Sequence, residues 1–297
     1  MILIIGCDGQ LGSSFKKFFQ EKNIDFLDVD KKELDITNFK DTRASIEYVN
    51  KKRKIDLIIN CAAYNDVDKA EEEKSQCYLL NMEAVINLAN ICRDINSTFI
   101  TFSTDFVFYG QKEQFLYSSN LGFTEEDEPT PQSSYSISKR EMEISLMSLI
   151  ENFKQEIYII RTSWLFGEIS NSNFVEKLIT LSESTDDIFM ADDMISSPTY
   201  TRDLVEITYK LFKSKTDFGI YHITNDGQTS KYFLSKFILD KISWNGNLHK
   251  ISQQDFHSKV LRPYYSKLNC NKIKNRLNIS VNDWQTSLEK YLTNRKS

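Results

Sequence analysis

Met1-Ile2-Leu3-Ile4-Ile5-Gly6-Cys7-Asp8-Gly9-Gln10-Leu11-Gly12 opens the chain, and its reading decides the fold. Five consecutive apolar residues predict a buried strand. Three of the chain's nine glycines, Gly6, Gly9 and Gly12, then fall between that strand and a helix predicted over Leu11–Lys22, whose Leu11, Phe15, Phe18 and Phe19 share one side. Glycines there permit a tight turn, let a pyrophosphate approach backbone N–H groups at a helix N-terminus, and let helix pack close on strand. An acid about 20 residues further on should meet an adenine ribose. Asp28 and Asp30, at the end of a second predicted strand over Ile24–Val29, stand in that place.

The same alternation continues outward. A helix is predicted over Phe39–Lys52, a strand over Ile55–Asn60, a long helix over Lys69–Asn96, a strand over Thr98–Ser103, a helix over Ser133–Phe153 and a strand over Ile157–Arg161. Continuously apolar strands separated by helices predict a parallel sheet covered on both faces, a Rossmann-like, doubly wound α/β fold. Beyond Trp164 the pattern loosens. Helices over Asn173–Ser184, Asp203–Phe212, Lys231–Ile242 and Asp283–Leu292 mix with short strands such as Gly219–Ile223, predicting a smaller α+β region on the sheet's carboxyl edge. The expected division is a dinucleotide-binding domain over 1–165 and a substrate region over 166–297, with a later segment such as Asp187–Ala191 able to return to the main sheet. The stretch Thr104–Gln132, with two prolines and the acidic run Glu125–Glu128, is long enough to be a functional loop.

Composition narrows the class. With 297 residues, 40% hydrophobic and 27% charged, and a mean hydropathy of -0.42, the chain can form a core and a solvated surface. A net charge of -5 argues against a nucleic-acid partner. The charge is uneven, acidic over residues 1–200 and basic over 201–297, which suits an anionic ligand toward the back. The five cysteines, without a Cys-x-x-Cys pair, fit a reducing cytosol. The opening apolar run is too short for a signal peptide, and no run of about 18 apolar residues follows. The expectation is a cytoplasmic protein without a membrane partner. His222, His249 and His257 lack ligand spacing, so no metal site is predicted.

The chemistry concentrates in two further places. In Tyr135-Ser136-Ile137-Ser138-Lys139, the i,i+4 spacing puts Tyr135 and Lys139 on one helix face. A nearby ammonium favours a phenolate and is expected to lower the tyrosine pKa, making a proton donor. Ser103-Thr104-Asp105 ends the fourth strand, at the edge where open α/β sheets bind ligands. There Thr104 can hydrogen-bond both a substrate oxygen and the tyrosine.

Gly-x-x-Gly-x-x-Gly, Ser-Thr-Asp and Tyr-x-x-x-Lys, in this order, resemble the extended short-chain dehydrogenase/reductase superfamily. Longer strings narrow the likeness to the dTDP-4-dehydrorhamnose reductase family: Asn60-Cys61-Ala62-Ala63-Tyr64, Val67-Asp68-Lys69-Ala70-Glu71, Arg161-Thr162-Ser163-Trp164, Asn173-Phe174-Val175, Ser197-Pro198-Thr199, Gly219-Ile220-Tyr221-His222 and Arg262-Pro263. The resemblance implies reduction of the C4 keto group of a nucleotide-linked 4-keto-6-deoxyhexose by NADPH, with NADH also accepted. It implies that Gly9, Gln10 and Leu11 contact the cofactor diphosphate, that Asp30, Asp35 and Ile36 line its adenosine end, and that Ala62, Ala63 and Tyr64 follow it along the third strand. Thr104, Tyr135 and Lys139 would be catalytic, with Lys139 also on the nicotinamide ribose. Thr104, Asp105 and Trp164 would contact the sugar nucleotide, and Arg262 its diphosphate. Some family members use Mg2+ at a subunit contact; no residue here is assigned to it, and a homodimer is left open.

Four places depart from the family pattern. Ser136 replaces a usual Gly and is expected to tighten the space near the nicotinamide. Phe108-Tyr109-Gly110 replaces Phe-Asp-Gly, residues are inserted within Gln111–Phe123, and Asn269 stands where Asp is common. Two other readings compete: a non-catalytic subunit like the regulatory beta subunit of methionine adenosyltransferase, and a sister epimerase or dehydratase. The intact Thr104, Tyr135 and Lys139 oppose the first. Phe106, where 4,6-dehydratases have an acid, opposes elimination of water.

Overall fold

The computed structural model describes residues 1–111, 121–167, 173–256, 258–260 and 262–295. Its front part runs β1 (Ile2–Ile5), α1 (Gln10–Glu21), β2 (Phe26–Val29), α2 (Phe39–Lys52), β3 (Leu57–Asn60), α3 (Lys74–Tyr78), α4 (Ala84–Asp94), β4 (Thr98–Thr104), α5 (Ser134–Phe153) and β5 (Ile157–Thr162). There follow β6 (Leu165–Phe166), α6 (Phe174–Ser182), β7 (Asp187–Ala191), β8 (Ile195–Ser196), β9 (Thr199–Tyr200), α7 (Thr201–Ser214) and β10 (Gly219–His222). The chain closes with β11 (Thr229–Ser230), α8 (Lys231–Lys241), β12 (Asn247–Ile251), α9 (Asn271–Leu277) and α10 (Trp284–Arg295).

Successive strand residues enter opposite cores, as a sheet buried on both faces requires. Ile2 and Ile4, Leu57 and Ile59, Ile100 and Phe102, and Tyr158 and Ile160 pack with Phe15, Phe18 and Phe19 of α1 and Leu204 and Leu211 of α7. Leu3 and Ile5, Ile58, Phe99, and Ile157 and Ile159 face the other way, onto Ile46 of α2, Val85 and Leu88 of α4 and Met142 and Leu146 of α5. The sheet order is β10-β5-β4-β3-β1-β2, and every pairing is parallel. Because the chain steps from β1 outward to β2 and then back to β3, the order reverses at β1. A crevice opens beyond the carboxyl ends of β1 and β3, where ligands of such sheets bind. Over it lies a third core, in which Phe166, Leu178, Tyr200, Leu234, Trp284 and Tyr291 pack together.

Three expectations change. The segment returning to the main sheet is Gly219–His222, which pairs with β5 as its sixth strand. Asp187–Ala191 pairs with β12 instead. The long helix expected over Lys69–Asn96 is a 3-10 turn (Lys69–Glu71), α3, a π turn (Leu79–Glu83) and α4. The π turn coincides with Asn81, which is fully buried and binds outside its own helix: its Oδ1 accepts from Tyr64 N at 2.9 Å, and its Nδ2 donates to Tyr64 O and to Ser138 Oγ, both at 3.1 Å. Such single π turns inside helices are rare, and frequent at functional sites. The described parts of the stretch from Thr104 onward are pinned to their surroundings. Phe108 stacks on Phe123 with ring centroids 4.5 Å apart, and Gly110 and Phe123 bridge to Tyr265 and Leu268. Residues 112–120, which hold most of the expected insertion, lie outside the described residues.

Candidate active site

The glycine turn is built by close approach. Gly6 has a φ of +79°, and a Cβ there would lie 2.7 Å from Ala62 N on the neighbouring strand end. A Cβ on Gly12 would lie 2.2 Å from the Gly6 carbonyl oxygen. Gly9 differs: it is the N-cap of α1, has no side chain to cap with, and a Cβ there would meet only Gly6 O, at 3.5 Å. The first turn of α1 holds no acid. Its uncapped N–H groups and the positive end of the helix dipole therefore favour an anion in front of Gly9.

A cavity of about 340 Å³ starts at this turn and runs along the carboxyl edge of the sheet. Gly9, Gln10, Leu11, Ala63, Thr104, Asp105, Tyr135, Lys139 and Trp164 line it, with Ser103 and Thr162. The elements explain the meeting. Thr104 ends β4, Thr162 ends β5, and Tyr135 and Lys139 lie in the first turns of α5. The start of that helix is fixed by Ser133, whose hydroxyl accepts from Ser136 N, and by Glu71, which accepts from Ser134 N at 2.6 Å and Ser134 Oγ at 2.8 Å. Gln10 Nε2, Ser103 Oγ and Thr162 Oγ1 are buried without a hydrogen-bond partner among the described residues. Of the eight such atoms among the described residues, these three gather at one cavity, where a polar ligand would complete them.

Burial sets the electrostatics. Loss of water pushes the Tyr135 phenol well above its ordinary pKa, against the effect of its contact with the Thr104 hydroxyl. The drop expected from Lys139 is therefore not what this environment produces. The Lys139 ammonium donates to Phe102 O at 3.0 Å, and burial lowers its pKa to about 8. Asp105 is pushed up to about 6 by burial, although Ser266 Oγ at 2.5 Å, Ser196 Oγ at 2.8 Å and Thr104 Oγ1 at 3.3 Å all donate to it. Trp164 has a φ of +41°, rare for a bulky side chain and a form of strain that clusters at functional sites.

The other expected residues lie around this centre. Asp30 Oδ1 accepts from the N–H groups of Lys32 at 2.7 Å and Glu33 at 2.9 Å, and these bonds hold its carboxyl below the usual range. Asp35 accepts from Thr37, and Ile36 is buried in the core under β1. Ala62 packs against the same core and donates its N–H to Asn60 Oδ1, while Tyr64 donates its hydroxyl to Glu73 at 2.8 Å. Arg262 does not line the Thr104 cavity. Its Nη2 lies 2.5 Å from Asp68 Oδ2, and its Nη1 donates to Asp68 Oδ1 and to Val260 O. His222 is a core residue beside Arg161, His249 pairs with Asp187, and His257 lies outside the described residues.

Sequence reasoning missed two groups. Arg161 and Glu143 form a fully buried pair, with Nη2 and Nε of Arg161 at 2.7 Å and 2.8 Å from the two carboxylate oxygens. It ties β5 to α5 one turn beyond Lys139. Lys231 lies over the Trp164 ring, 3.6 Å from its centroid. Glu143 carried a signal, four residues after Lys139 on the same face; Lys231 carried none. Among the described residues no cluster of three His, Cys, Asp or Glu is arranged to hold a metal, and no helix is long and apolar enough to cross a membrane.

A switch-point crevice with a glycine turn at its floor and a Thr-Tyr-Lys group on its wall defines a dinucleotide-dependent oxidoreductase of the short-chain dehydrogenase/reductase type. The comparisons make this particular. A model of the RmlD substrate binding domain matches residues 1–297, and the chain belongs to that family. It is 36% identical over 300 aligned residues to the dTDP-4-dehydrorhamnose reductase of Aggregatibacter actinomycetemcomitans, covering 97% of each. It is 31% identical over 296 residues to the spore coat polysaccharide biosynthesis protein SpsK of Bacillus subtilis (strain 168), covering 100% of this chain and 98% of that one. The crystal structure of dTDP-4-dehydrorhamnose reductase from Bacillus anthracis in complex with NADP superposes with a TM-score of 0.87 at 31% identity, covering 99% and 98% of the two chains.

Proposed function

We propose that this protein reduces the C4 keto group of a nucleotide-linked 4-keto-6-deoxyhexose with NAD(P)H, and that its substrate is dTDP-4-dehydro-L-rhamnose, giving dTDP-L-rhamnose for surface polysaccharide. The observation that carries the reading is the cavity in which Thr104, Tyr135 and Lys139 meet the glycine turn, with three buried polar atoms unsatisfied around it. The family and its NADP-bound member support the cofactor class. The residues fit a dinucleotide: Gly9 leaves the α1 N-terminus open to a diphosphate, and Gly6 and Gly12 are the glycines that the close turn requires. Lys31 and Lys32, beside Asp30, favour NADPH over NADH through a 2′-phosphate.

When bound, the nicotinamide supplies the hydride. The chain supplies the proton and the alignment. Tyr135 keeps its phenolic proton at neutral pH because burial disfavours the phenolate, so it enters the reaction as a loaded acid. Thr104, beside the phenol, carries one hydroxyl proton; turned from Asp105, it can donate to a carbonyl oxygen and align it beside Tyr135. As the proton leaves for that oxygen, the Lys139 ammonium in the same wall compensates the phenolate. Asp105, gripped by Ser196 and Ser266, joins the end of β4 to β8 and to the Tyr264–Leu268 segment and fixes the sugar side of the cavity.

The test is NADPH oxidation with a panel of dTDP-linked 4-keto-6-deoxysugars. Tyr135→Phe should lose about 10²–10⁴-fold in turnover while binding NADPH normally. Failure of the wild-type protein to oxidise NADPH with any member of the panel would overturn the reading.

A further inference from the structure

Lys231 occupies a costly place. It is the first residue of α8, behind the N-cap Ser230, where the helix dipole disfavours a cation. Its Nζ lies 3.6 Å from the centroid of Trp164 and 4.2 Å from that of Phe174. Among the described residues it makes no hydrogen bond or ion pair. The acid beside its helix, Asp192, is taken by Ser230 Oγ and Lys250, each at 2.7 Å. Burial lowers its pKa to about 7, with Asp105 acting against that drop and Arg262, from another element, adding to it. Ring faces attract a cation, but neither ring supplies the oxygen that this half-buried ammonium lacks.

The other cations of this region have partners. Lys139 donates to Phe102 O, and Arg262 is paired with Asp68. Trp164 lines the Thr104 cavity and carries on its ring Lys231, which does not itself line that cavity, so a ligand that reaches past this tryptophan meets the ammonium. A keto sugar with its C4 at Thr104 and Tyr135 has its anomeric phosphate on the far side of the ring, away from the sheet edge. We propose that Lys231 is a substrate-binding residue that receives the diphosphate of the sugar nucleotide, taking the role the sequence suggested for Arg262; this rests on the substrate class proposed above.

The experiment is isothermal titration of wild type, Lys231→Met and Lys231→Arg with dTDP, thymidine and NADPH, with melting curves to verify folding. Methionine keeps the stem against both rings and removes the charge. It should weaken dTDP binding about 10–100-fold and leave thymidine and NADPH unchanged. Arginine keeps the charge and should hold dTDP affinity within about threefold of wild type. Three results would overturn the proposal: unchanged dTDP affinity in Lys231→Met, an equal loss for thymidine, which would make Lys231 a prop for Trp164, or an equal loss for NADPH, which would give the charge to the cofactor. Wild-type protein that binds no dTDP at all would instead overturn the substrate class itself, and this inference with it.

Discussion

Asp105→Asn should change how stability depends on pH. In the folded chain Asp105 is only 2% exposed, and loss of water pushes its pKa from 3.8 up to about 6, against the hydroxyls of Ser266, Ser196 and Thr104. That gap corresponds to about 3 kcal/mol. The folded form holds the proton more tightly than the unfolded one. The contribution to stability is therefore full below the unfolded pKa, near 4, and is lost as pH rises through about 6. Between roughly pH 4.5 and pH 7.5 about 2 kcal/mol of it should disappear. Asparagine keeps the shape and titrates nowhere in this range. Its oxygen can accept from one hydroxyl and its amide can donate to another after rotation, so the change in bonding adds a constant offset rather than a slope. The assay is urea unfolding of both proteins at several pH values in that interval. The variant's stability relative to wild type should rise by about 2 kcal/mol from the acid to the neutral end. A difference that does not vary with pH would refute the reasoning, because the carboxyl would then have to titrate alike in both states.

Gly12→Ala puts a methyl 2.2 Å from a backbone oxygen and 2.8 Å from Cys7 Cα, and should lower the melting temperature and NADPH affinity together. Gly9→Ala, with its nearest contact at 3.5 Å, should melt like wild type, so matching melts for the two variants would refute the close-approach account. The double variant Lys31→Ala/Lys32→Ala should weaken NADPH more than NADH in fluorescence titrations; equal losses would remove the 2′-phosphate role. Arg262→Ala and Asp68→Asn should lower the melting temperature alike, since the two side chains form one contact between the back segment and the loop after β3. A raised KM for the sugar nucleotide with unchanged melting would return Arg262 to the substrate.

The parallel sheet was legible because β1, β3 and β5 are buried on both faces and open on apolar runs, although the edge strand β2 is only half-buried and carries Asp28. The sixth strand was not placed, because Gly219–His222 comes after the strand–helix alternation has loosened beyond Trp164, and nothing local says which neighbour it joins. Local pattern also hid the π turn, since Asn81 leaves its helical role for partners on the β3 loop and on α5. The site divides along the same line. Glycines, Thr104, Tyr135 and Lys139 were legible because their spacing is itself the geometry of a turn, a strand end and a helix face. Arg262 and Lys231 depend on which acid or ring the back region brings up to them, which spacing does not encode. Ser136 makes the point most directly. Where its replacement of a glycine suggested crowding beside the nicotinamide, its hydroxyl turns back to accept from Ser133 N at 3.0 Å, and completes the capping box of α5. The added side chain thus works on the helix that carries Tyr135 and Lys139, at a helix start where such a reciprocal cap satisfies two otherwise orphaned N–H groups. A substitution inside a motif alters the space in front of it only when its rotamer points there, and at Ser136 the N-terminal backbone of α5 holds the hydroxyl.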